Sequence, residues 1–426
     1  MPVRTHFELT GRLTPRPEMT EFLKTVERET DAELTLTGTT SRGREIWSVA
    51  VGNPAGSTIM YVAGQHGTEW CSREAALIFL RDLAYRIGDG YEDYLATHQV
   101  IVVPEANPDG SEPPVTRFPA HGFDVNNGWY LLRNPENRAI SPLITQHRPV
   151  IIQDLHEWDA DYPEHIAHSV RNTPALAPEL APHLDQILDR ATQAIEDAGY
   201  TARPYSTASR PGPGATPGSI LQSTGHFHHA ITLLTESLMR RRTSDRVASN
   251  LIWMEAVRGY HSDNSAALDA AQQASIAAAE AGTSKVYIGS KGLAAEGDPL
   301  FPEITDPADS YTIPDEVPIP QGLLDMHGIV AEGRQISSHQ AARALVVLLF
   351  DPRSVFYSGA INWTPRPSRP AVPIVPEQSS SLGTIWVKVG SRRYAVKEVW
   401  VKVGSRRYRA KGISAKVGSR RYELKR

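Results

Sequence analysis

The stretch Gly64-Gln65-His66-Gly67-Thr68-Glu69-Trp70 constrains this chain more than any other. It sets a His and a Glu three residues apart directly after the apolar run Thr58–Ala63. An apolar, β-branched run that gives way to turn residues reads as a buried strand ending in a loop. Polar side chains just beyond such an end stand where open α/β sheets place their chemistry. Three further features share that placement: Asn107-Pro108-Asp109-Gly110 after Gln99–Val103, Asp154-Leu155-His156 at the end of Val150–Leu155, and Glu236 after Ile231–Thr235. His66, Glu69 and His156 supply two imidazole nitrogens and one carboxylate, the set that hydrolytic zinc uses while keeping one position open. Glu236 is then the base that acts on water. A His-x-x-Glu pair alone recurs by chance; the weight comes from four features falling on one sheet edge.

The rest of the chain supplies a fold to hold that edge. Glu45–Val51 and Thr58–Ala63 read as paired strands joined by a turn at Asn53-Pro54-Ala55-Gly56. Glu69 to Arg86 carries an apolar helical stripe through Ala75, Ala76, Phe79, Leu80 and Leu83. Leu184 to Ala198 is an amphipathic helix closed by Gly199, and a long Ala-rich helix spans about Asp245 to Ala281. Strands alternating with helices predict an α/β protein with a mixed, mostly parallel sheet flanked by helices on both faces. Residues 1–283 form the expected catalytic domain, and residues 284–362 a small α+β continuation packed on it. Residues 363–384, with Pro365, Pro367, Pro370, Pro373 and Pro376, read as a stiff linker.

Residues 385–426 are a repeat. Lys388–Tyr394, Lys402–Tyr408 and Lys416–Tyr422 recur at a strict 14-residue period as Lys-Val-Gly-Ser-Arg-Arg-Tyr. Gly-Ser between two short strands suits a two-residue hairpin turn, so three small basic β-hairpins are expected. Trp386 and Trp400 open the first two copies, and Ser414 stands there in the third. The segment holds 14 Lys and Arg against Glu398 and Glu423, a local charge of +12, whereas residues 1–384 carry 30 Lys and Arg against 46 acids. An acidic body with a basic tail implies two units with different partners. No nucleic acid is expected, since exposed stacking residues are few.

Composition narrows the class. Hydrophobic content of 40% and charged content of 22% describe a folded, globular protein. No apolar run reaches the ~18 residues of a membrane helix. The first residues lack the apolar core of a secretory signal. Cys71 is the single cysteine, so any metal is held by His, Asp or Glu.

Around the central set, Asp124 in Phe123-Asp124-Val125-Asn126-Asn127 reads as a carboxylate that holds a zinc-bound imidazole in one tautomer, or as a loop acid. Arg117 is placed to steady a developing oxyanion, or is a solvated loop Arg. Glu236 has a bland alternative too, pairing with Arg240, Arg241 or Arg242. His121, His147, His165 and His168 read as surface or supporting residues, and His226, His228 and His229 as at most an adventitious metal cluster.

These motifs together resemble the zinc metallocarboxypeptidases of the carboxypeptidase A/B type. Ser41-Arg42-Gly43-Arg44-Glu45-Ile46 is similar to that family's leading segment. It is followed in family order by the His66–Glu69 pair, the Asn-Pro-Asp-Gly turn, the Asp-x-Asn segment, His156 and Glu236. The resemblance runs from about residue 20 to 260, and Leu324–Ser354 resembles the trailing part of longer bacterial members. It implies one zinc ion on His66, Glu69 and His156, a general base and acid in Glu236, a transition-state role for Arg117, and substrate binding by Asn126. One departure stands out: the family usually has Asn-Arg where this chain has Asn126-Asn127. A neutral amide cannot make the two-pronged, charge-assisted contact of a guanidinium with a terminal carboxylate. Tyr205 is the candidate for the family's substrate-capping Tyr.

The expected activity is therefore zinc-dependent hydrolysis of an amide bond near a peptide C-terminus, with cell-wall peptide as the candidate substrate. The repeats resemble C-terminal repeats of tail proteins of actinobacterial phages. That resemblance implies a virion tail location with other tail proteins as partners, the cytoplasm otherwise. Two other classes fit less of the sequence: a zinc amidohydrolase of small N-acyl amino acids, and a non-catalytic structural tail or adhesion protein.

Overall fold

The computed structural model describes residues 2–159, 163–169, 175–204, 220–287, 303–304, 306–354 and 356–367, with the backbone of six short strands between 385 and 423. One compact unit runs to Ala371 and a second begins at Val372. In the first unit the helices are α1 (His6–Thr10), α2 (Arg16–Glu29), α3 (Trp70–Ala84), α4 (Tyr91–Thr97), α5 (Pro108–Ser111), α6 (Pro135–His147), α7 (Ala181–Asp197), α8 (Leu221–Phe227), α9 (Thr243–Glu280), α10 (Gln321–His327), α11 (Arg343–Phe350) and α12 (Tyr357–Ile361). The main strands are β1 (Glu33–Thr39), β2 (Glu45–Gly52), β3 (Ser57–Ala63), β4 (His98–Val103), β5 (Ile151–Trp158), β6 (Ile166–His168), β7 (Ala202–Pro204) and β8 (Ile231–Leu238).

These eight strands make one sheet in the order β1-β2-β4-β3-β5-β8-β6-β7. The pairings β3–β4, β3–β5, β5–β8 and β6–β7 are parallel. The remaining three, β1–β2, β2–β4 and β6–β8, are antiparallel. The mixed, mostly parallel sheet expected from the sequence is the one observed.

Alternation along the central strands decides which layer each residue joins. Ile59, Tyr61, Val100, Val102, Ile151 and Leu155 enter a core with Leu77 and Leu80 of α3, Ile187 of α7 and Trp253 of α9. Their neighbours Met60, Val62, Ile101, Val103 and Ile152 enter a second core with Ile140 and Ile144 of α6, Leu323 of α10, and Val346 and Leu349 of α11. Strands buried on both faces read as continuous apolar runs, which is why β3, β4 and β5 were visible without alternation. The segment after Ser284 thus closes one face of the sheet. Beyond its helices it holds two small pairs, β9 (Val286–Tyr287) with β10 (Glu303–Ile304), and β11 (Ser310–Thr312) with β12 (Gln335–Ser337).

One pairing differs from expectation. β2 and β3 do not pair with each other, because β4 lies between them, antiparallel to β2 and parallel to β3. The turn at Asn53 does form, with Gly56 N–H donating to Asn53 O at 3.0 Å. The Asn53 N–H is itself taken by Leu95 O and His98 O, at 3.0 and 2.9 Å. Gly52, at φ +95°, approaches His98 O so closely that a Cβ would stand 2.3 Å from it. The chain is therefore threaded past the end of β4 instead of folding back on β2. The true partner of β2 on its other side, β1, lies in a Thr-rich half-exposed stretch with no strong apolar signal.

The first residues of the Pro-rich stretch are docked on the body. Trp363 Nε1 donates to Leu131 O at 2.5 Å, and Arg366 N–H to Arg133 O at 2.9 Å. In the second unit the strands are β13 (Ile385–Val389), β14 (Arg392–Val396), β15 (Trp400–Val403), β16 (Arg406–Arg409), β17 (Ser414–Val417) and β18 (Arg420–Glu423). They pair as three separate antiparallel hairpins. The Gly-Ser pairs between the strands lie outside the described residues, as do most of the expected linker and Tyr205.

Candidate active site

The carboxyl ends of β3, β5 and β8 bring the predicted residues to one place. His66 follows β3, and Glu69 directly precedes α3, so its carboxylate lies at the positive end of a 15-residue helix. His156 and Glu236 are on adjacent strands in direct register, Leu155 pairing with Thr235 and His156 with Glu236. Both lie inside longer strands than the sequence suggested, since β5 runs to Trp158 and β8 to Leu238.

The ligand atoms converge. His66 Nδ1 is 2.7 Å from Glu69 Oε1, His156 Nδ1 is 2.9 Å from Glu69 Oε2, and the two Nδ1 atoms are 3.2 Å apart. All three residues are buried. Among the described residues they are the one His/Cys/Asp/Glu group whose donor atoms could hold a metal ion. The outer nitrogens explain why. His66 Nε2 lies 3.1 Å from Asp124 Oδ1, and His156 Nε2 lies 2.9 Å from Asp154 Oδ1. A carboxylate at each Nε2 takes the ring proton there, which turns both Nδ1 lone pairs inward. Two inward lone pairs 3.2 Å apart facing a carboxylate repel unless a cation or shared protons lie between them. The donor set therefore fits zinc.

Charge follows the same logic. Burial alone would depress both imidazoles, yet the Glu69 charge with Asp124 raises the pKa of His66. Asp154 and Glu69 likewise raise that of His156 well above the usual value. Burial raises the Glu69 carboxyl, but His66 and His156 outweigh it and bring it down to about 2. The pocket thus favours positive charge before any metal is considered.

Glu236 is the contrast. Its residue is partly buried, but Oε2 is closed off from solvent and accepts no hydrogen bond. Burial, only partly offset by His156, pushes its carboxyl up to about 7, the range of a working proton shuttle. None of Arg240, Arg241 and Arg242 is seen paired with it. Arg240 and Arg242 reach Asp159 and Asp245, and Arg241 reaches Glu164 O.

The surrounding motifs build the frame. Asn107 donates to Gln65 O at 3.1 Å and to Arg117 O at 3.2 Å, tying together the two loops that carry His66 and Arg117. Gly67 is needed because a Cβ there would stand 2.1 Å from the Gly110 backbone. Asp109, buried, accepts from Thr40 Oγ1, Ser41 Oγ and Arg44 Nη1, which fixes the β1–β2 turn to the same loop. Arg117 Nη1 donates to Glu69 Oε1 at 3.0 Å, with nearly half its side chain exposed at the rim. Asn126, nearly buried, has its amide nitrogen 3.1 Å from His156 Nε2 and its oxygen accepting from Leu221 N–H. Asn127 donates to Asp124 Oδ2 at 2.9 Å. It lines a cavity of about 170 Å³ whose walls include Phe123, Arg133 and Arg366. The Arg366 guanidinium stacks 3.5 Å over Phe123.

Two supporting residues carried no distinctive sequence signal. Asp154 was visible only as part of Asp-Leu-His. Gln65 Nε2 donates to Asp154 Oδ1 at 2.6 Å while its oxygen accepts from Trp129 Nε1 at 2.9 Å. Their positions, one before and two before a ligand, are the clue available in hindsight.

The remaining histidines are elsewhere. His121 meets Glu136, His147 meets Gln99, His165 meets Thr201, and His168 stacks on Trp253. His226 and His229 give ring protons to the Ala230 and Ala341 carbonyls, and His228 stacks on His327. The His226/His228/His229 group forms no metal site among the described residues.

A mixed α/β sheet with a His-Glu-His group at its carboxyl edge and Glu236 beside it has the architecture of the carboxypeptidase fold. Residues 19–194 match the zinc carboxypeptidase family model, Peptidase_M14. Over these residues, less than half of the chain, the sequence is similar to zinc carboxypeptidases. The match includes His66, Glu69, Asp124 and His156 and ends before Glu236. Among solved structures, carboxypeptidase A from Helicoverpa armigera aligns with TM-score 0.50 and 16% identity over 61% of this chain and 75% of its own. Thrombin-activatable fibrinolysis inhibitor aligns with TM-score 0.50 and 13% identity over 62% and 81%. A metallo-carboxypeptidase from Burkholderia cenocepacia gives TM-score 0.48 and 18% identity over 58% and 69%. No curated protein sequence matches the chain.

Proposed function

We propose that this chain hydrolyses an amide bond near the carboxyl end of a peptide, with cell-wall stem peptides as its substrate class. The observation that carries the reading is the pair of inward-facing Nδ1 atoms on Glu69, each backed by a carboxylate, beside the enclosed Glu236. His66, Glu69 and His156 would hold zinc, which would supply Lewis-acid polarisation of a carbonyl and a lowered pKa, toward ~7, for nearby water. Glu236 takes a proton from the attacking water and returns it to the leaving amine, a double duty suited to a carboxyl poised near neutrality. Arg117 keeps one contact to Glu69 and offers its remaining N–H groups toward charge that develops on the carbonyl oxygen. Asp124, Asp154, Gln65 and Asn126 hold the two imidazole rings in place, which keeps the donor atoms aimed while substrate enters.

The substrate class rests on Asn127. An amide there, already donating to Asp124, gives a free α-carboxylate no charged grip. Peptides whose terminal group differs from an ordinary C-terminus suit it better, as do those that bring their own charge pattern. Carriage on a virion tail is the finest part of the reading. The resemblance of the basic repeats supports it.

The test is a digest of purified peptidoglycan stem peptides and ordinary peptides, followed by mass spectrometry, with and without a zinc chelator. Chelator-sensitive release from stem peptides is expected. Cleavage of ordinary peptides alone removes the substrate class and leaves the hydrolase. Glu236→Gln should lower turnover by roughly 10²–10⁴-fold with zinc content unchanged; retained activity would take Glu236 out of the reaction.

A further inference from the structure

We propose that the three C-terminal hairpins are a multivalent binding element for a linear, base-free phosphate polymer. Their register juxtaposes Lys388 with Arg393, Lys402 with Arg407 and Lys416 with Arg421. Residues directly opposite in an antiparallel pair share a face, and like charges so placed oppose hairpin formation. An isolated two-stranded hairpin is already marginal. A sequence under no constraint but folding would break such a pair with one acidic residue. Here the same repulsive doublet is built three times, 14 residues apart, in identical register. A bound polyanion turns each doublet from a cost into a contact.

The alternation sharpens this. Val387 and Tyr394, Val401 and Tyr408, and Ala415 and Tyr422 are opposed on the other face of each hairpin. Each hairpin therefore places the Lys–Arg doublet on one face and, on the other, the Val–Tyr or Ala–Tyr pair with Arg392, Arg406 or Arg420 two positions before the Tyr. The feature common to these three faces is the Lys–Arg doublet. The aromatic on that face is not common: Trp386 and Trp400 occupy it in two copies and Ser414 in the third. Stacking on bases from that face would require its aromatic in every copy, so the doublet face reads charge. Guanidinium beside ammonium, in each copy, suits phosphate oxygens better than scattered carboxylates. Three weak sites on one chain gain affinity through effective concentration. A polymer bearing regular phosphates uses that, and a single small anion does not. Residues 1–384, with 46 acids against 30 Lys and Arg, carry the opposite net charge.

The experiment uses the full chain and fluorescently labelled inorganic polyphosphate, read by anisotropy. Binding is expected at 50 mM salt and should weaken on the order of a thousandfold by 200 mM, as six released counterions require. The variant K388E/K402E/K416E converts each doublet into an opposite-charge cross-strand pair. It should lose at least tenfold in affinity while its hairpin amides exchange with solvent more slowly, so loss of binding cannot be loss of the hairpins. A smaller loss, or exchange no slower than in the parent, overturns the proposal. Polyglutamate of equal charge binding as tightly overturns the phosphate assignment. Oligo(dT) binding more tightly than polyphosphate overturns the base-free assignment in favour of single-stranded nucleic acid.

Discussion

Two sets of buried or half-buried histidines lie in the same body and behave in opposite ways. His66 and His156 have their pKa raised, and His226, His228, His229 and His327 have theirs lowered, His226 and His327 to about 4. Burial depresses both sets alike. The difference is what the rings meet: Asp124, Asp154 and Glu69 in the first set, and the carbonyls of Ala230, Ala341 and Tyr130 in the second. A carbonyl fixes a tautomer without inviting charge, whereas a carboxylate does both. A histidine cluster becomes a cation site when acids back it, and stays a piece of core when carbonyls do.

The largest effect that tests this comparison is removal of a ligand. His156→Ala should abolish stoichiometric zinc and with it hydrolysis, whereas His228→Ala should leave zinc content unchanged. Metal analysis of the two purified variants decides, and zinc retained without His156 breaks the ligand assignment. Next in size is the backing. Asp154→Asn keeps shape but removes charge, and should weaken zinc binding by roughly 10–100-fold in a chelator competition. An unchanged affinity would mean that Gln65 and Asn126 suffice to aim the ring.

The second set makes a prediction about acid. A histidine whose folded pKa lies below its unfolded value of ~6.5 contributes stability that is complete above that value and lost as the pH falls. For His226 and His327 the window runs from about 6.5 down to about 4. The Tm of the zinc-loaded protein should therefore fall across that interval. His327→Gln should flatten the fall, and an unaltered slope would remove this histidine as a contributor.

The smallest effect concerns the missing cation. Asn127→Arg should raise kcat/KM on ordinary peptides with a free carboxylate by about tenfold, which is ~1.4 kcal/mol in the transition state. No gain would show that the neighbourhood of Phe123 and Arg366 leaves no room for a terminal carboxylate.

Much of the site was readable along the chain because each part is local. His66 and Glu69 are three apart, His156 ends an apolar run, and Asp109 and Asn107 sit in one turn. The roles of the supporting residues were less readable, because they depend on encounters across the fold. Asp154 matters only when its side chain meets the ring two residues on, and Gln65 only when Trp129 and Asp154 close around it. The same holds for the sheet. β3, β4 and β5 announce themselves by apolar runs, whereas the insertion of β4 between β2 and β3 is a long-range pairing that no local pattern encodes. Asp124, by contrast, was expected from a short Asp-x-Asn segment either to back an imidazole or to be a loop acid, and its Oδ1 lies 3.1 Å from His66 Nε2.

The register that sets His156 beside Glu236 has an evolutionary corollary. Neighbouring strands are locked at a fixed spacing by their ladder, so the distance from ligand to acid is inherited from the sheet and not from any connecting segment. Segments that rim the cleft can lengthen, shorten or change chemistry, trading one diet for another, while the hydrolytic engine stays in tune.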